Sequence, residues 1–352
     1  MKKSGVLLVL PVLVALLVLA FAGVGHTADR VVNVPAGTDL DAKINTDPST
    51  TATIFQLAAN TTYQVDQMIT LKAGDGIRGA VGSMSMRGPA TDPNPTSKIV
   101  GVNGVQTVIR TVGANIEISW VDVSGGNYVG TYSSGYGIRA DQGGDNLLIQ
   151  YSRIHDNEAA GITNARGHIM DNEIDNNATD PNSVGSTAAG VKGLYEYEAA
   201  RNFVHDNHGV GMWCDWGCLD TGIGAWNAHH NLVVNNGLDG IRFDHSAANE
   251  GEAEIWANAA HGNGYDRPGR AGIHVNNASH ALIHDNVAGA ATVAGTSYRG
   301  NANRFAISVT QNNPYWPATT YVTVENNQLN GERVYIAPNV NMSTIVVGNN
   351  TP

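Results

Sequence analysis

From Asn146 onward one phrase returns at a nearly fixed interval, and this recurrence limits the fold more than any other property of the chain. Each copy is an apolar doublet, a polar step, an Asn, a second apolar pair and a second Asn. LLIQYSRIHDN (147–157) is followed by HIMDNEIDNN (168–177), EAARNFVHDN (198–207), NAHHNLVVNN (227–236), EIWANAAHGN (254–263) and ALIHDNVAGA (281–290). A late copy reads VTVENNQLNG (322–331), and an early one, EISWVDVSGG (117–126), lacks the Asn. The first shared Asn falls at Asn172, Asn202, Asn231, Asn258 and Asn286, in steps of 30, 29, 27 and 28 residues. The second falls at Asn157, Asn177, Asn207, Asn236 and Asn263.

A unit of that size cannot bury an apolar side alone, whereas stacked units bury a continuous one. The alternating runs are too short for helices, and Gly and Asn stand between them, where left-handed backbone angles cost least. Stacking places identical residues above one another, so the asparagines can hydrogen-bond along the stack as ladders. They are structural residues. The pattern resembles the right-handed parallel β-helix of the pectin-lyase-like superfamily, over roughly Val31 to the C-terminus. The segment VPAGTDLDAKINTDPSTTATIFQLAANTTYQVDQMITL (34–71) resembles that superfamily's opening, a short capping helix and the first coils. Thr38 is its expected N-cap, with Asp39 and Asp41 in the first turn. The fold expected is all-β: a single-stranded right-handed parallel β-helix forming one domain over 29–352, with 29–71 as cap and first coils.

Residues 1–28 read as a signal peptide. Lys2 and Lys3 precede an apolar run from Val6 to Ala22, followed by small residues, with cleavage sites after Ala22 or Ala28. The expected location is outside the cytoplasm, extracellular or periplasmic. There the two cysteines, Cys214 and Cys218, are expected to form a local disulfide. The chain has 31 acidic against 20 basic residues and no basic cluster, which argues against nucleic acid and against an anionic membrane surface. A monomer free of the membrane after signal cleavage is expected.

Side-chain direction follows from the register. After each turn comes a Gly-apolar step, and strand alternation sends the apolar residue inward and the next one outward. The outward residues of successive coils are then Thr163, Lys192, Trp213, Arg242 and His274. Two residues on stand Asp215, Asp244 and Asn276, while Cys214, Phe243 and Val275 point in. Trp213 and Asp215 are therefore expected on a solvent-facing patch with Arg242, Asp244 and His274, and Trp216 at the edge of the disulfide loop. An exposed Trp between cations suits a sugar ring, whose apolar face stacks on indole. The competing reading is that Lys192 and Arg242 cover Trp213 and pair with Asp215 and Asp244.

Two reactions fit such a patch. β-Elimination on a uronide needs the carboxylate neutralised, by Arg242 or Lys192, and a base, for which His274, His245 and Lys192 are the candidates. Glycoside hydrolysis needs two carboxyls, and Asp215 and Asp244 lie one coil apart. The nearest match to the pectate-lyase phrase Trp-Ile-Asp-His is Arg242-Phe243-Asp244-His245; the Asp-Pro-His of mannuronan epimerases and three of the four polygalacturonase phrases are missing. The acidic turn 244–254 offers calcium the oxygens of Asp244, Glu250, Glu252 and Glu254. The expected function is a secreted carbohydrate-active protein cleaving a polysaccharide, with uronic-acid-containing chains among the candidates, as lyase or hydrolase. The alternative is a non-catalytic glycan-binding or adhesin-like rod.

Overall fold

The computed structural model describes residues 29–352 except 132–133, 142–145, 184–186, 194–196, 216–217, 219–224, 247–250, 267–269 and 290–304. The signal peptide lies outside the described residues. Three parallel sheets, of 12, 9 and 10 strands among those residues, run the length of the molecule. Each coil contributes one strand to each sheet in turn, as with Tyr197–Ala200, Phe203–His205 and Val210–Cys214. This is a right-handed parallel β-helix.

The N-terminal cap contains the short helix Leu40–Asn45. Its N-cap is Asp39 and not Thr38: the Asp39 carboxylate accepts from the Ala42 N–H at 3.1 Å. A carboxylate at that position also suits the positive end of the helix. Leu40 and Ile44 plug the core beneath.

Inside, like residues stack. On the first sheet the register runs Ile118, Ile149, Ile169, Ala199, Ala228, Ile255, Ile283 and Val324. The two alanines leave room that Tyr197, Trp226 and Phe243 fill, with Trp226 5.8 Å from Tyr197 and 5.9 Å from Phe243 between ring centres. Dense filling of this kind is what a continuous core requires.

Both asparagine ladders form. Asn172 donates to Asn202, Asn202 to Asn231, Asn231 to Asn258 and Asn258 to Asn286, at 2.9–3.1 Å. The first ladder continues through Asn327 to Asn350. The second runs Asn157, Asn177, Asn207, Asn236 and Asn263. The left-handed residue is not the ladder Asn but the one before it: Asp171, Arg201, His230, Ala257 and Asp285 all have φ between 52° and 58°. Each rung also accepts a backbone N–H from the coil before it, which holds those corners in place. The Gly of each Gly-apolar step faces the second ladder. A Cβ on Gly211 would lie 2.8 Å from the Asn236 amide nitrogen, so the two motifs are one packing unit.

Candidate active site on the third sheet

The strands Ala189–Gly193, Val210–Cys214, Ile241–Asp244, Ala271–Asn276 and Phe305–Thr310 lie side by side in the third sheet. Their register aligns Lys192 with Trp213, Trp213 with Arg242, Arg242 with His274 and His274 with Ser308. Asp244 aligns with Asn276. The column extends the other way through Thr163, Arg139 and Arg110 to Thr70, and at its far end reaches Tyr335. Ten outward positions thus carry Arg110, Arg139, Lys192, Arg242 and His274 and no acid.

Outward does not mean exposed. Trp213 is only 4 % exposed, because Lys192 Nζ lies 4.3 Å and Arg242 Cζ 5.0 Å from its ring centre. Long cations one coil away on either side fold over the indole, a geometry that the ring quadrupole favours. The open sugar platform expected of Trp213 is not there. Asp244 is fully buried and Asp215 nearly so. Lys192 Nζ sits 2.8 Å from Asp215, and Arg242 pairs with Asp244.

His274 is likewise buried, and its ring is fully engaged. Nδ1 faces the Asp239 carboxylate at 3.1 Å and Nε2 faces Thr310 Oγ1 at 2.9 Å. Asn276 Oδ1 accepts from Asn312 N–H and from the Thr310 hydroxyl at 2.8 Å. His274 is thus a buried ring with both nitrogens occupied by protein partners. Asp239, also fully buried, gathers Arg242 at 3.9 Å and Arg270 at 3.5 Å as well. Burial opposes its charge, yet His274, Arg242 and Arg270 hold its carboxyl well below the usual carboxylate range.

The sequence reading missed Asp239, although a signal existed. It occupies the position before the inward Gly, where neighbouring coils have Ala160, Ala189, Val210 and Ala271. One acid in an apolar column marks a buried charge.

His245 follows the Asp244 strand in a left-handed conformation, φ 56°, which turns its ring across the two aspartates. Nδ1 lies 3.3 Å from Asp215 and Nε2 3.2 Å from Asp244. Its side chain is 20 % exposed, against 12 % for Lys192 and 15 % for Arg242. Trp316 stacks on it with ring centres 4.3 Å apart. No sequence signal pointed to Trp316, which arrives in a loop between Thr310 and Thr320, where the ladder step lengthens from 28 to 41 residues.

The disulfide Cys214–Cys218 forms, with Cys214 in the core, and Cys218 N–H donates to the Asp215 carbonyl at 2.8 Å. The bridge thereby closes a tight loop around Asp215. Trp216 and Glu250 lie outside the described residues. Glu252 and Glu254 belong to the strand Glu252–Trp256 of the first sheet, where Glu254 accepts from His284. They do not join Asp244. Asp215, Asp244 and His245 each place a ligand atom within 4.8 Å of the others. That set does not suit calcium, which takes oxygen ligands throughout, and both carboxylates already face cations. A second such trio, Glu173, Asp175 and His205, is bridged by Arg153.

Fold and site together define a right-handed parallel β-helix with a charged cluster on its third sheet. No family model and no curated protein matches the sequence. Among solved structures, the chain is similar to the A-module of the Azotobacter vinelandii mannuronan C-5 epimerase AlgE4 (16 % identity, TM-score 0.50, covering 85 % of this chain and 86 % of that one). The AlgE6 A-module gives 14 % identity, a TM-score of 0.51 and coverage of 89 % and 94 %. The Dettilon tailspike protein gives 15 % and 0.53, over 84 % of this chain and 62 % of the tailspike. These likenesses establish the fold.

Proposed function

We propose that this protein acts on an acidic polysaccharide laid along the third sheet, cleaving it by β-elimination. The observation that carries the reading is the outward column. In a chain of net charge −11, ten consecutive positions hold four Arg or Lys residues, a His and no carboxylate. A polyuronate running parallel to the helix axis meets an Arg or Lys on four of those ten coils. Two of the fold neighbours are named mannuronan epimerases; at such identities the likeness carries the fold, and the residues carry the function.

Arg242 and Lys192 neutralise the uronate carboxylate, which makes the C5 proton removable. His245 is the proton-transfer group: its side chain is 20 % exposed against 7 % for His274, so of the two rings it is the one at the cluster surface, beside Asp215 and Asp244. The C5 proton passes to His245, the C4–O bond breaks as the C4–C5 double bond forms, and the departing O4 takes up a proton from His245 or from water. Hydrolysis would require one of the two aspartates to donate a proton, and each faces a cation instead. The disulfide suits an oxidising compartment. A non-catalytic glycan-binding rod is the second reading, favoured by the closed Lys192–Asp215 and Arg242–Asp244 pairs.

The test is to incubate the purified protein with uronic and neutral glycans and follow unsaturated-uronide absorbance and reducing ends together. New unsaturation on a uronic glycan is expected. Reducing ends alone would mean hydrolysis, and binding without either signal would mean the rod.

A further inference from the structure

We infer that Tyr315 stacks a sugar ring at the rim of this site, one residue along the chain from the Trp316 that covers the proton-transfer group. The inference rests on the acidic-polysaccharide reading and deepens it. Tyr315 is 94 % exposed, the highest value among the exposed large hydrophobic residues described. Its chain neighbour Trp316 lies flat on His245 at 4.3 Å, so Tyr315 emerges at the edge of the cluster.

That exposure is built in. The Asn277 amide donates to the Asn313 carbonyl at 2.7 Å and to the Pro317 carbonyl at 3.0 Å, while its oxygen accepts from Asn313 N–H. Asn313 in turn accepts from Tyr315 N–H at 3.0 Å through its side chain and from Trp316 N–H through its carbonyl. Asn276 accepts from Asn312 N–H, and Thr319 donates its hydroxyl to the Thr310 carbonyl. A loop tied at both ends and in the middle holds an aromatic ring in water. An exposed aromatic on a fixed backbone carries a hydrophobic cost that a ligand would relieve.

The ligand class follows from geometry. The basic column supplies charges for carboxylates, while its Trp213 is sealed and Tyr335 at its far end is half-buried and stacked on Phe305. A pyranose presents polar edges and an apolar C–H face, and Tyr315 is the aromatic placed to receive that face.

The test compares wild type, Tyr315→Ala and Tyr315→Phe on oligomers of mannuronate, guluronate and galacturonate. Binding is measured by calorimetry and turnover by unsaturated-uronide absorbance. Tyr315→Ala is expected to weaken binding and raise KM about tenfold, with kcat within about twofold and an unchanged Tm. Tyr315→Phe should keep wild-type values, because the ring and not the hydroxyl makes the contact. Wild type active with Tyr315→Ala equal to it overturns the stacking alone. So does a Tyr315→Phe as weak as Tyr315→Ala. Wild type that neither binds nor converts any of the three overturns the polysaccharide reading and this inference with it.

Discussion

At the residue scale, the cluster consists of charges that hold one another. Arg242 pairs with one fully buried aspartate, Asp244, approaches another, Asp239, and lies over Trp213. Read from the sequence, Arg242 belongs to a solvent-facing patch. In the structure its removal strands buried charge, and Arg242→Ala is expected to lower unfolding free energy by about 3–5 kcal/mol, measured by urea titration. An unchanged midpoint would mean that water reaches Asp244. His245 is the opposite case, since it sits at the surface of the cluster. His245→Gln is expected to cut turnover by about 10²–10⁴-fold with little change in Tm. Retained turnover would remove it from the mechanism.

At the scale of the element, the repeated Asn phrase was legible because its physical role is local and periodic. Asn231 shows why each copy is needed. Its oxygen accepts from the Asn202 N–H and amide, and its own amide donates to Asn258 and to the Ala199 carbonyl. Asn231→Ala orphans several buried groups at once and should cost about 3 kcal/mol or more, whereas Asn182→Ala, on an exposed turn, should cost less than about 0.5 kcal/mol. Equal losses would mean that the ladder contributes nothing special. Elements without the phrase were not legible. The hairpin of Ser83–Arg87 and Ala90–Asn94 leaves the stack, and its Thr91 hydroxyl donates to Asp171, 80 residues on. The loop carrying Trp316 is hidden in the same way, since no period predicts where an excursion lands.

At the scale of the whole molecule, histidines on the outer faces fasten coil to coil. His155 meets Asp122, His205 meets Glu173, His229 meets Glu198 and His284 meets Glu254, each acid lying 30–33 residues earlier. Burial disfavours charge on the His155, His205 and His284 rings, but the carboxylates outweigh it and raise all three, His205 to about 9. A raised folded value gives stabilisation that is complete below the unfolded value of about 6.5 and disappears as pH climbs through the folded one. The acids act in the other direction. Glu198 is held low by His168 and His229, and its share is lost only as pH falls through its depressed value. Tm is therefore expected to fall as pH rises from about 6.5 toward 9, with His205→Gln flattening that fall. A Tm level from pH 6 to 9 would contradict this.

By itself the sequence determined the coil, the register and which side of a strand each residue leaves, because period and alternation are properties of the chain. It placed Lys192, Trp213, Arg242 and His274 in one column, and Cys214 and Phe243 inside. Only the tertiary structure decided what covers the outer face. Coils stacked about 4.8 Å apart let the long side chains of neighbours reach over Trp213. Asp239 and Thr310 claim His274, and a loop from beyond the regular repeat brings Trp316 onto His245. Exposure depends on side chains far apart in sequence, so a residue's own position in the repeat does not contain it.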